Sequence, residues 1–161
     1  MRSIPLVVLS ILLLTSLCFA GVSQGSKEIT FGGTFHISPS PWIFSGHWIC
    51  AHYFLPNIGI GGYFTFTKVE DFDASYALGG IAKMNLPMLV QSEKMLPFVG
   101  AGIGIAKVWD EKKMQISGSG GVDFFVTDTW AVYVMYRGSK IMEEGFDFQS
   151  DILFGITHFI H

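Results

Sequence analysis

From Lys27 onward the chain alternates apolar and polar positions with a period of two, the spacing of a strand with two unlike faces. In KEITFGGTFHI (27–37), Ile29, Phe31, Phe35 and Ile37 fall on one face, and Glu28, Thr30, Thr34 and His36 on the other. IGIGGYFTFTKV (58–69) sets Ile58, Ile60, Phe64 and Phe66 against Gly59, Gly61, Tyr63, Thr65 and Thr67. ASYALGGIAKMNL (74–86) sets Tyr76, Leu78, Ala82, Met84 and Leu86 against Ser75, Gly79, Lys83 and Asn85. The same alternation runs through 94–110, 113–126, 129–138 and 146–160, where Asp123, Arg137 and Asp151 lie opposite aliphatic and aromatic neighbours. WIFSGHWICAHYF (42–54) is less regular: Trp42, Phe44, Trp48 and Cys50 share a parity, but Ile43, Ile49 and Tyr53 occupy the other. A bulge that exchanges the two faces is the expectation there.

The pattern predicts eight strands joined by short connections, each near the roughly 9–11 residues a tilted strand needs to cross a bilayer. Strands with one wholly apolar face and one polar face suit a closed barrel in lipid. Closure satisfies every backbone donor and acceptor, which an open sheet in hydrocarbon cannot do. The predicted fold is therefore all-β, an eight-stranded antiparallel up-and-down transmembrane β-barrel over 27–161. The apolar faces meet acyl chains, and the lumen receives Lys83, Asp123, Arg137 and Asp151 as a polar network. A charge in so narrow a space is costly alone, so these four are expected to pair.

The start of the chain changes the setting. Arg2 precedes an apolar run from Ile4 to about Leu17, and Cys18, Phe19 and Ala20 offer a small-x-small cleavage site. Residues 1–20 read as a secretory signal peptide, and 21–26 as a short segment before the barrel. Composition agrees with export into lipid: 50% hydrophobic residues and 19 glycines, yet beyond the leader no continuous apolar stretch long enough for a spanning helix. The 10 Lys and Arg, one of them Arg2, stand against 13 Asp and Glu, which argues against nucleic acid as a partner. Cys50 is the only cysteine after the leader, so no internal disulfide is available.

LPFVGAGIGIAK (96–107) invites a nucleotide-loop reading, but it lacks the GxGxxG spacing and runs on as strand. Gly100, Gly102 and Gly104 share the inward parity with Phe98 and Ala106. They are expected to make space in the lumen for bulky neighbours such as Tyr63, Phe125 or Tyr133, because eight strands leave an interior only just wide enough for side chains. The five histidines show no HExxH or close Cys/His spacing. No catalytic, cofactor or metal site is predicted. Trp42, Trp48, Trp109 and Trp130 sit near strand ends or in the irregular second segment, where aromatic girdles are expected.

Three stretches resemble the small outer-membrane β-barrel family that includes the OmpX- and OmpA-type barrels: PNIGIGGYFTF (56–66), LPFVGAGIGIAK (96–107) and GSGGVDFFVTDTWAVYVMYR (118–137). The resemblance implies a bacterial outer-membrane location and both termini in the periplasm. It implies periplasmic turns near 55–57, 87–93 and 127–128, and extracellular segments near 38–41, 70–73, 108–112 and 140–145. Outer-membrane lipid, lipopolysaccharide and the barrel-assembly machinery are the implied partners of a monomer. In the family the last strand often ends in Phe; here Ile160 precedes His161, with Phe159 at the opposite parity. The same architecture includes lipid A deacylases and acyltransferases. His36 and Ser38 have a deacylase-like His-x-Ser spacing but lie on the first strand, whereas the deacylases' pair lies late in the chain, so no catalytic role is carried over. The expected function is a non-enzymatic barrel with a structural or surface-interaction role. Its alternatives are a lipid A-modifying enzyme and a secreted soluble barrel carrying a small apolar ligand.

Overall fold

Eight antiparallel strands close into a barrel in simple up-and-down order, each paired with its neighbours in sequence and the last with the first. The computed structural model describes residues 22–36, 43–71, 73–90, 92–108, 111–143, 145 and 148–161. The predicted leader, Ser38, Trp42 and Trp109 lie outside them. The strands are β1 (Lys27–His36), β2 (Ile43–Leu55), β3 (Ile58–Val69), β4 (Ser75–Asn85), β5 (Met95–Val108), β6 (Glu111–Phe125), β7 (Trp130–Ile141) and β8 (Gln149–Ile160). A 3-10 turn, Pro87–Leu89, lies in the connection between β4 and β5. Closure is made by β1 on β8, from Lys27 opposite Ile160 to Gly33 opposite Phe154.

The two ends of the barrel differ. At one end, called the floor here, lie the tight β2–β3 turn, the 3-10 turn, the β6–β7 turn and residues 22–26. Asn57 turns the chain at φ 65, a conformation that asparagine tolerates better than most residues. The β6–β7 turn is fixed by Thr127, whose hydroxyl accepts from the backbone N–H of Trp130 at 3.0 Å. The opposite end, the mouth, carries the β1–β2, β3–β4, β5–β6 and β7–β8 connections.

The wall is inverted relative to a water-soluble fold. Large apolar side chains point outward: Phe31 is 60% exposed, Leu78 65% and Ile152 56%. Polar and charged side chains point inward, and Glu28, Lys83 and Asp123 are buried. Cys50 faces the outside of the wall.

The second strand departs from the expected exchange of faces. Ser45, His47, Ile49, Ala51 and Tyr53 are all buried, and Phe44, Trp48, Cys50, His52 and Phe54 alternate outward with them. The irregularity is confined to the last residues, where the register against β3 shifts between Tyr53 and Leu55. The lumen accepts apolar side chains as readily as polar ones: Ile49 packs with Tyr63, Ala77 and Ala106 inside the barrel. An apolar residue of inward parity therefore needs no bulge.

Candidate functional site

The fully buried charges of the described residues lie in the lumen, which fills in layers from the floor upward. In the lowest layer Val22, Tyr53, Leu96, Ala131 and Phe159 form one apolar cluster, with Phe125 packed against it. Phe159 is fully buried there, which accounts for its parity opposite to the outward Ile160. The segment before β1 is part of this layer. Val22 donates its N–H to Asn57 Oδ1 at 3.0 Å, Asn57 N–H returns a bond to the Val22 carbonyl, and Gly25 N–H donates to the Tyr53 carbonyl. Ser26 Oγ and His161 Nδ1 share a hydrogen bond of 3.0 Å, tying the segment before β1 to the residue after β8.

Directly above sits an ionic cluster. Lys83 Nζ lies 2.7 Å from Glu28 Oε1 and 3.3 Å from Asp123 Oδ2, with all three side chains almost wholly buried. The cation also lies over the face of Phe98, 4.0 Å from the ring centroid. The carboxylates are further satisfied by hydroxyls. Tyr53 and Thr30 donate to Glu28 at 2.5 and 2.7 Å, and Thr157 donates to Asp123 at 3.1 Å. Asn85 Nδ2 donates to the Tyr53 hydroxyl oxygen at 3.1 Å. Buried charges persist only when paired and hydrogen-bonded in this way.

The middle layer is aromatic, and it is built on glycine. The Tyr133 ring extends across the lumen so that its hydroxyl meets His47 Nε2 at 2.6 Å. It reaches there over Gly32 and Gly155, where a Cβ would collide with the Tyr133 hydroxyl and with backbone. Tyr63 lies over Gly79, Gly102 and Gly104 in the same manner: a Cβ on Gly102 would stand 3.2 Å from its ring, and one on Gly104 2.6 Å from its hydroxyl. Gly100 is crowded instead by Ser119, whose Oγ would be 2.7 Å from a Cβ there. Phe98 uses Gly121 of β6. Phe125, named from sequence as a beneficiary of the β5 glycines, stacks on Phe159 in the floor, with ring centroids 5.4 Å apart.

Nearest the mouth, Arg137 Nη2 donates to Asp151 Oδ2 at 2.9 Å across the directly opposed β7–β8 register. The four charges named from sequence thus divide into two separate sets, Lys83 with Asp123 below and Arg137 with Asp151 above. No ion pair joins the sets among the described residues. Glu28 completes the lower set. Its inward parity was visible in sequence, but its contact with Lys83 depends on bringing β1 and β4 together across the lumen.

Two cavities lie above the aromatic layer. One of about 30 Å³ is lined by His47, Ile49, Tyr63, Ser117, Met135 and Arg137, among others. It shares Thr65, Gln115, Arg137 and Ser139 with a larger cavity of about 380 Å³ at the mouth. Below, next to the ionic cluster, the free space is only about 10 Å³, roughly the volume one water requires. Among the described residues no group of three or more His, Cys, Asp or Glu converges as metal ligands would. Outside the wall, Trp130 stacks on His158 with centroids 4.1 Å apart near the floor end, while Trp48 sits between Phe31 and Phe64 in the strand registers.

No protein-family model matches the chain, and no curated protein sequence matches it. Its fold is that of small outer-membrane barrels. The N-terminal β-barrel domain of Pseudomonas aeruginosa OprF superposes with a TM-score of 0.62 at 13% identity, covering 85% of this chain and 98% of that one. Neisserial surface protein A superposes with a TM-score of 0.60 at 14% identity, covering 83% and 93%. A designed transmembrane β-barrel superposes at 0.58 with 12% identity, covering 87% and 99%. The last of these shows that such a barrel needs no inherited role in order to fold, so the likeness establishes architecture alone.

Proposed function

We propose that this protein is a non-enzymatic bacterial outer-membrane barrel with a structural or surface-interaction role, delivered by a signal peptide over residues 1–20. The observation that carries this reading is the inverted wall. Its outward face is a belt of Phe31, Ile60, Leu78, Ile103, Ile152 and their neighbours, and its fully buried charges are inside. A soluble barrel carrying an apolar ligand would need the opposite polarity, with an apolar lumen under a polar surface. Outer-membrane lipid and lipopolysaccharide are the natural contacts of the belt, the barrel-assembly machinery is the route of insertion, and the barrel works as a monomer. The floor end, with residues 22–26 and His161, faces the periplasm, and the mouth opens to the exterior.

Expression in a Gram-negative host tests this directly. The protein should fractionate with the outer membrane and migrate faster on gel electrophoresis before boiling than after. Recovery from the soluble periplasm without that mobility difference would overturn the reading.

A further inference from the structure

We propose that the mouth-side cavity is a binding site for a small neutral saccharide, whose exocyclic hydroxymethyl group enters the smaller cavity beneath. The proposal gives the surface-interaction reading a ligand class. It rests on that reading only for the side from which the ligand arrives.

Three observations select this chemistry. Size comes first: about 380 Å³ lies within the range of roughly 300–1,000 Å³ typical of small-molecule sites. The connected cavity of about 30 Å³ accommodates about two water-sized groups. The second is the lining. Ser45, Thr65, Thr67, Gln115, Ser139 and Ser150 supply hydroxyls and amides that can both donate and accept, between apolar surfaces of Ile43, Val69, Ala106 and Ile141 that suit the C–H faces of a sugar ring. Arg137 and Asp151 compensate one another through their 2.9 Å contact, and Lys107, the further charge in the lining, lies over the Tyr76 ring. A hydroxylated uncharged ligand matches such a surface. A free anion would meet the Asp151 carboxylate, and a purely apolar ligand would leave the hydroxyls unpartnered. The third is a set of three unsatisfied polar atoms at the base. His47 Nδ1, the Tyr63 hydroxyl and Arg137 Nε are all buried and have no hydrogen-bond partner in the structure. His47 as a whole is 3% exposed, and all three residues line the smaller cavity; His47 and Arg137 are the two that other side chains tie down.

These two groups are held in place rather than left to search. His47 is fixed by Tyr133 through its other ring nitrogen, and Tyr133 is seated over Gly32 and Gly155. Arg137 is fixed by Asp151 through Nη2, leaving the Nε–H, an obligatory donor, for an incoming oxygen. A hydroxymethyl oxygen can accept from Arg137 Nε–H and pair with His47 Nδ1 in whichever tautomer the ring adopts. The small apolar surfaces of Ile49 and Met135 face its carbon. The ring hydroxyls remain in the larger cavity among the serines, threonines and glutamine.

The test is isotope-edited NMR of the whole processed barrel in detergent micelles, following the Arg137 Nε–H and His47 ring resonances. D-glucose and maltose should give saturable shifts at both groups. D-xylose, which lacks the hydroxymethyl group, should bind about tenfold more weakly, the effect of one well-placed polar contact. Arg137→Lys keeps a cation for Asp151 but removes the Nε–H, and should weaken glucose by a similar factor. Ser139→Leu should abolish the shifts by filling the cavity while leaving both reporting groups in place, and it serves if Arg137→Lys does not fold. The proposal is overturned by any of three results: no response to either sugar, which would mean water only; equal affinity for xylose and glucose; or a response to glucuronate alone. Because the barrel is studied in micelles, a negative result here leaves fractionation and heat-modifiability to judge the outer-membrane reading separately.

Discussion

At the scale of single residues, the glycines of β5 and β6 show how the same residue serves two different purposes. Gly102 faces the lumen, and a Cβ there would stand 2.7 Å from Ser117 Oγ and 3.2 Å from both Tyr63 and the Gly80 carbonyl. Gly118 faces outward, with nothing within 4 Å of the same hypothetical atom. Gly102→Leu should therefore cost about 1–3 kcal/mol through overpacking and reduce the heat-modifiable fraction. Gly118→Leu, one strand away, should leave folding intact. Urea unfolding in lipid vesicles measures both, and equal effects would show that lumen space is not what the inward glycines provide. The inward parity of Tyr63, Gly102 and Gly104 was legible in sequence, but not that Tyr63, rather than Phe125 or Tyr133, is the ring these glycines admit. The seating of Tyr133 on Gly32 and Gly155 was not legible either. It depends on closure of β1 against β8, where Gly32 and Gly155 stand opposite each other, and on the β7–β8 register, where Tyr133 faces Gly155.

At the scale of elements, alternation carried most of the information, because a period of two assigns every residue of a strand once its outward set is known. It failed in β2 because the inward set there includes Ile49 and Tyr53, which look like members of the outward belt. The structure resolves this through packing: Ile49 belongs to a lumen cluster, and Tyr53 is needed to satisfy Glu28. Strand ends were legible only to within a few residues. β7 runs on to Ile141, past the expected end at 138, and the β5–β6 hairpin extends closer to its turn than the expected loop 108–112. The Arg137–Asp151 pair needed only the β7–β8 register, in which the two residues are directly opposite. The outward face yields its own prediction. Ile103, midway along β5 and 54% exposed, should tolerate Leu. Ile103→Arg should destabilise the folded barrel in vesicles by about 2–4 kcal/mol, the cost of a cationic side chain near the bilayer midplane.

At the scale of the whole molecule, stability and closure meet at Lys83. It joins β4 to Glu28 of β1 and Asp123 of β6 across the lumen, contacts separated by 55 and 40 residues in sequence. Removing the cation leaves two buried carboxylates facing each other, so Lys83→Met should cost about 3–5 kcal/mol. Neutralising the carboxylates as well, in Lys83→Met with Glu28→Gln and Asp123→Asn, should recover much of that loss. Vesicle unfolding of the single and triple variants checks this, and a triple variant no better than the single would show that the charges are not the source of the penalty.

The layers beneath the aromatic plane have a consequence for traffic. With Val22, Tyr53, Leu96 and Phe159 packed below the ion cluster, and space for about a single water beside it, the described lumen is shaped as a well and not a tube. A planar-bilayer measurement should therefore find no steady conductance through the folded barrel, and an open-channel current would show that the floor layer gives way.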